Sequence, residues 1–250
     1  MLSTVSFLLL IVILLLEIIS PTSAIVGGYL EEIETTPWMV SISVKNVGLV
    51  CGGVIVSPRL ILTAAYCVFR QSPMDLSIRV GSKFADRDGY TLYPESIIIH
   101  NYFDASSKDN NLALLWMSTA FRETNSVSPI KVKTNADYVP VGTQCMISGY
   151  GRTDTSNAVS YSGLRSAVIK TMNRETCTQR LYPWVITDTM ICASANGEDG
   201  CDGDAGGPLI CAGKLSGIMS WGKGCGREGG IGIYADVGSA RRWLTDHGVP

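Results

Sequence analysis

An antiparallel all-β fold, sandwich or barrel, is what this 250-residue chain predicts, and three observations predict it. Short runs rich in Val, Ile, Leu and aromatic residues recur along its length, each bounded by Gly, Pro, Asn, Asp or Ser. Long helices are not indicated, and many short strands without them point to an antiparallel sandwich or barrel. The composition of 26 Gly and 10 Pro with only 17% charged residues describes a compact, loop-rich protein, and a 46% hydrophobic content excludes disorder.

The elements follow in order. Residues 38–44 alternate, with Trp38, Val40, Ile42 and Val44 on one face and Met39, Ser41 and Ser43 on the other, the period of a half-buried strand. Further strands are expected at 54–56, 77–80, 97–99, 112–117, 145–148, 167–171, 209–211, 215–221 and 231–237. The one helix expected is the tail, where Ser239 is placed to cap and Ala240, Trp243, Leu244 and His247 share a face.

Before these elements, residues 7–16 form an uninterrupted apolar run, Glu17 breaks it, and Pro21, Thr22, Ser23 and Ala24 supply small residues suited to signal peptidase. Residues 1–24 therefore read as a secretory leader, and the protein is expected outside the cell. Lys and Arg number 20 against 22 Asp and Glu, with a net charge of -2 and no run of like charge. Neither nucleic acid nor an anionic membrane is an expected partner.

All eight cysteines (Cys51, Cys67, Cys145, Cys177, Cys192, Cys201, Cys211 and Cys225) follow the leader, which in an exported chain implies four disulfides. Spacing alone does not choose among the pairings. Zinc is disfavoured because no Cys-x-x-Cys pair occurs and the two histidines, His100 and His247, lie far from any close cysteine pair. No metal or other cofactor is expected.

Four stretches carry more than composition. Ile25-Val26-Gly27-Gly28 follows the leader, Thr63-Ala64-Ala65-Tyr66-Cys67 follows a strand, Asp109-Asn110-Asn111-Leu112 precedes another, and Gly203-Asp204-Ala205-Gly206-Gly207-Pro208 sits near the end. In order and spacing they resemble the chymotrypsin/trypsin-like serine protease family, over residues 25–248. The resemblance implies two packed six-stranded antiparallel β-barrels, at about 38–125 and 140–237, a carboxyl-terminal helix at about 239–247, and a site in the cleft between the barrels. It also implies the pairings Cys51–Cys67, Cys145–Cys211, Cys177–Cys192 and Cys201–Cys225.

That family's chemistry needs a serine oxygen, a histidine base and a buried aspartate. The corresponding positions here hold Ala205, Tyr66 and Asn111. A methyl group has no nucleophilic lone pair, a phenol with a pKa near ~10 is a poor base at neutral pH, and an amide carries no charge for an imidazolium. Loss of the serine or histidine alone costs such an enzyme about 10⁶ in turnover, roughly 8 kcal/mol. No catalytic residue is therefore assigned, and no useful peptidase activity is expected. His100 and His247 read as structural rather than as relocated bases.

Other positions match the family. Asp204 stands where a carboxylate pairs with the new α-ammonium group, here that of Ile25 once signal peptidase releases it. Asp199 matches the floor of a pocket for Arg or Lys, with Ser220, Trp221, Gly222 and Gly232 on its walls. Gly200 and Asp202 depart from the commonest trypsin-like pattern there. The backbone N–H groups of Gly203 and Ala205 match the oxyanion hole. Tyr66 is also placed to fill the cleft and stack on Trp221. The expectation is a secreted non-catalytic homologue acting as a binding or regulatory protein, a protease cofactor, decoy or modulator in extracellular fluid, whose partner is an extracellular protein: an active protease, an inhibitor or a ligand bearing Arg or Lys. The alternatives are a scaffold binding through barrel loops such as 85–90 or 153–162, or a very weak trypsin-like peptidase.

Overall fold

A computed structural model describes residues 25, 28–134, 137–151, 163–194, 203–224 and 230–250. The expected leader at 1–24, Asp199, Gly200, Asp202, the expected Cys201–Cys225 bridge and residues 153–162 lie outside the described residues. The fold is mostly β, a closed six-strand barrel beside a curled half-barrel, with few and short helices.

In chain order the strands are β1 (Tyr29–Leu30), β2 (Met39–Val44), β3 (Gly48–Ser57), β4 (Leu60–Thr63), β5 (Leu76–Val80), β6 (Tyr90–Leu92), β7 (Pro94–Ile99), β8 (Ala113–Met117), β9 (Gln144–Gly149), β10 (Arg165–Thr171), β11 (Met190–Ser194), β12 (Pro208–Cys211), β13 (Lys214–Lys223) and β14 (Ile231–Asp236). The first sheet runs β6-β5-β2-β3-β4-β8-β7, all antiparallel. It has seven strands rather than the expected six because one stretch of chain supplies both of its edges. Residues 90–92 pair with β5, and after Tyr93 residues 94–99 pair with β8. Pro94 cannot donate to a ladder, so the break falls in front of it.

In the second sheet β10 pairs with both β9 and β11, which closes β9 to β14 into a six-strand barrel with the two-residue β1 added at its rim. Each sheet buries its own apolar face. Val40, Ile42, Val54, Leu62, Ile78 and Leu114 pack inside the first, and Ile147, Ile169, Leu209 and Tyr234 inside the second. Alternation along β2 is incomplete: Met39 is buried among Ile33, Ala85, Tyr150 and Leu164, and Ser41 is buried with its hydroxyl donating to the Ala85 carbonyl at 3.0 Å.

The helices depart most from expectation. The tail helix α3 (Arg241–Asp246) has Ala240, not Ser239, at its start, and the Ser239 hydroxyl bonds the Asp236 carbonyl instead. The longer helix is α2 (Arg174–Leu181), where the Asn173 side chain accepts from the N–H groups of Glu175 and Thr176. It buries only Cys177 and Leu181, so no apolar stripe announces it in the sequence. A single turn, α1 (Ala65–Val68), follows β4. Strand β4 escapes the pattern because all four of its residues are buried, which removes any alternation.

Among the described residues three disulfides join Cys51 to Cys67, Cys145 to Cys211 and Cys177 to Cys192, as the resemblance implied. No helix among the described residues is long and apolar enough to cross a membrane.

Candidate functional site

The two sheets meet where α1, the loop before β8, the 203–207 turn and β13 converge. Strand β4 delivers the chain to α1, and the Thr63 hydroxyl ties its end to the Gly52 carbonyl at 2.8 Å. Within α1, Ala65, Cys67 and Val68 are buried and the Cys51 bridge pins the turn to β3, which leaves Tyr66 as the residue facing outward, 39% exposed.

Asn111 is wholly buried beside it. Its Oδ1 accepts the Tyr66 backbone N–H at 2.9 Å, and its Nδ2 donates to Ser220 Oγ at 2.7 Å. The backbone N–H can only donate, which fixes the orientation of the amide and makes Ser220 an acceptor. Ser220 faces across the cleft because the β13–β14 register shifts between Met219 and Trp221, and a bulge re-aims a side chain.

Ala205 sits in a tight turn clamped on all sides. Its carbonyl accepts the Gly52 N–H at 2.8 Å, the Gly206 N–H bonds the Met219 carbonyl at 2.9 Å, and the Gly207 N–H bonds the Asp204 carbonyl at 2.9 Å. Gly206 has φ +81°, and a Cβ there would stand 2.3 Å from the Gly52 oxygen. Gly203 lies in the same turn with φ +93°, so the two N–H groups of the expected oxyanion hole flank Asp204. The Asp204 carboxylate is buried and accepts the Gly151 N–H at 2.8 Å, lying so close over Gly149 that any β-carbon there would collide with it. Ile25 is 1% exposed and seated in the apolar cluster of the second barrel with Cys145, Ile147 and Leu209.

Of the expected pocket walls, Gly222 and Gly232 face each other across the β13–β14 ladder, a pair without side chains. The ring neighbour of Trp221 is Trp184 at 6.5 Å, and Lys108 lies 5.0 Å above the Tyr66 ring. Tyr66 therefore does not stack on Trp221; the lysine of the neighbouring loop takes its face. Sequence reasoning passed over Lys108 and Trp184, and the Pro183-Trp184-Val185 run of large apolar residues outside any strand was the available signal.

Asp109 bridges the sheets, accepting from the Thr187 hydroxyl at 2.7 Å and from that of Thr189. His100 is buried against Trp243, ring centroids 4.9 Å apart, and His247 bonds the Trp243 carbonyl through Nδ1 at 2.8 Å. Burial holds the His100 pKa below its ordinary value, while the charge of Asp109 pulls it up and that of His247 pushes it down. Neither imidazole contacts Tyr66 or Ala205. A cavity of about 630 Å³ lies on the second barrel, lined by Lys133, Asp137, Val139, Met172, Arg174 and Asp236 among others, and Tyr66, Asn111, Ala205, Ser220, Trp221, Gly222 and Gly232 are not among its described lining residues.

Tyr66, Asn111 and Ser220 are thus joined in one chain of hydrogen bonds between the two sheets. The trypsin family model matches residues 25–244. Hypodermin-B of Hypoderma lineatum is 36% identical over 225 residues, spanning 89% of this chain and 87% of its own. A vitellin-degrading protease of Bombyx mori is 35% identical, spanning 98% and 95%. Among solved structures, neuropsin, a serine protease expressed in the limbic system of mouse brain, superimposes with a TM-score of 0.79 at 29% identity, covering 88% of this chain and 98% of that one.

Proposed function

The chain belongs to the trypsin-like serine protease family, and on that premise we propose that it is a secreted, non-catalytic member that binds a protein partner through its cleft. The observation that carries this reading is the identity and setting of three residues. Tyr66, Asn111 and Ala205 occupy the positions of base, orienting acid and nucleophile, within a framework of hydrogen bonds that holds their backbones in place. Proton abstraction, imidazolium stabilisation and acyl transfer each lack the group that would perform them. The relatives are named as proteases and share the fold, so the proposal rests on these side chains and not on the fold.

Export is supported by the apolar leader and the three cross-links, which belong to an oxidising compartment. The partner is an extracellular protein presenting Arg or Lys to Asp199: an active protease, an inhibitor or another ligand of that chemistry. By the resemblance Asp199 supplies the carboxylate for a side chain of that kind, and the facing Gly222 and Gly232 carry no side chains to obstruct it. Signal peptidase itself exposes the Ile25 ammonium group to Asp204, so the domain needs no second cleavage.

The test is a titration of the secreted protein with a benzamidine-type arginine mimic, read by fluorescence and repeated on Asp199→Ala. Saturable binding that the substitution abolishes is expected. An absence of binding would overturn recognition through the cleft and send the search to the barrel loops.

A further inference from the structure

Six cations of the described chain lie over aromatic rings, and they divide into two groups. Arg59, Lys83 and Arg87, away from the cleft, each also pair with a carboxylate: Glu95 at 3.7 Å, Glu32 at 2.9 Å and Asp86 at 3.1 Å. Arg70 over Phe69 at 5.1 Å, Lys108 over Tyr66 at 5.0 Å and Lys223 over Trp184 at 5.5 Å have no carboxylate partner among the described residues. Those three surround the cleft.

Their placement is continuous. Arg70 and Phe69 follow α1 directly, Phe69 packs edge-on to Phe103 at 5.6 Å, and Phe103 and Lys108 share the loop before β8. On the far side, Tyr66 connects through Asn111 to Ser220, the neighbour of Trp221, which adjoins Trp184 and Lys223. Tyr66, Phe69 and Trp184 are 39%, 37% and 51% exposed, more than large apolar rings need to be. The acids nearest Lys108 in sequence are already engaged: Asp104 accepts from Ser106 and Ser107, and Asp109 from Thr187 and Thr189 across the sheets.

We infer that the mouth of the cleft is a docking surface for an acidic protein segment, whose carboxylates meet Arg70, Lys108 and Lys223 while its apolar side chains rest on Phe69, Tyr66 and Trp184. A ring beneath a cation holds the side chain in place without cancelling its charge, so the rim is set in advance for anions. Cations dispersed among rings suit a segment that mixes acidic with aromatic or aliphatic residues, whereas a uniformly sulfated glycan would be matched by an unbroken basic stripe. The inference deepens the cleft-binding reading and rests on it. The partner then offers a basic residue to the pocket and acidic residues beside it.

The experiment uses the full secreted protein and a fluorescein-labelled decapeptide alternating glutamate with tyrosine and leucine, followed by anisotropy, with the glutamine version as control. The acidic peptide is expected to bind saturably and more tightly than the control, losing about tenfold as salt rises from ~0.05 to ~0.5 M. Arg70→Glu, Lys108→Glu and Lys223→Glu should each weaken it about fivefold or more, while Lys170→Glu, on the exposed face of β10, leaves it unchanged. Equal binding of the two peptides, indifference to the three reversals, or capture of a heparin oligosaccharide in preference to the peptide would overturn the inference. If the arginine mimic still binds while the peptide does not, the rim assignment alone falls; if neither binds, the cleft reading falls with it. Unaltered near-ultraviolet dichroism of each variant establishes that it has folded.

Discussion

Asn111 donates from Nδ2 to Ser220 Oγ at 2.7 Å while its Oδ1 receives the Tyr66 N–H, so one buried amide spans the two sheets with a donor at one end and an acceptor at the other. A carboxylate in that place could only accept, and it would be a buried anion with no imidazolium to balance it. The amide thus keeps the loop before β8, α1 and β13 together without any charge.

The first prediction concerns that bond. Ser220→Ala removes the acceptor and leaves the Asn111 amide donor buried and unsatisfied, which costs about 1–3 kcal/mol. Urea unfolding of the variant should show a midpoint lowered accordingly with an unchanged m-value. A loss below a few tenths of a kcal/mol would mean the bond does not hold the sheets together.

A second prediction concerns the turn beneath Ala205. A Cβ at Gly149 would lie 2.8 Å from the Asp204 Cγ and closer still to its oxygen, whereas one at Gly213, φ +73°, meets nothing within 4 Å. Gly149→Ala should therefore cost about 3 kcal/mol or more, a Tm fall of roughly 6–12 °C, and Gly213→Ala only the backbone strain of about 1 kcal/mol. Similar losses in the two variants would show that Asp204 gives way freely.

Acid stability supplies the third. Burial depresses the His100 pKa below its unfolded value, near ~6.5, so the unfolded chain takes up the proton first as pH falls. Stability from this group is fully present above about pH 6.5 and is lost as pH drops through the folded value. His100→Gln should flatten the fall in unfolding free energy between about pH 7 and pH 5, as read from urea curves. An unchanged slope would assign the acid sensitivity elsewhere.

Most of the fold was legible because strands with a polar outer face alternate, and ten of the strand expectations fall on observed strands. Strand β4, buried on both sides, and helix α2, polar almost all round, carry no such period. At the site, the motifs located Tyr66, Asn111, Asp204 and Ala205 because each stands in a short fixed-spacing stretch. The surroundings were less legible: the pairing of Tyr66 with Lys108 needs the loop before β8 to fold back over α1, and Trp184 meets Trp221 only through the path that follows α2. Contacts between segments distant in sequence leave no local mark. The same holds for the direction of the Asn111 amide, which depends on its two partners rather than on its neighbours in the chain.

The most direct test of the account is the hydrolysis of an arginyl amide by the purified protein, measured beside an active trypsin. If no serine oxygen or imidazole acts at the site, no saturable turnover is expected, and at most the feeble water-mediated rate that oxyanion stabilisation alone supplies. A saturable rate within about 10³-fold of the active enzyme, abolished by Asp199→Ala, would contradict it.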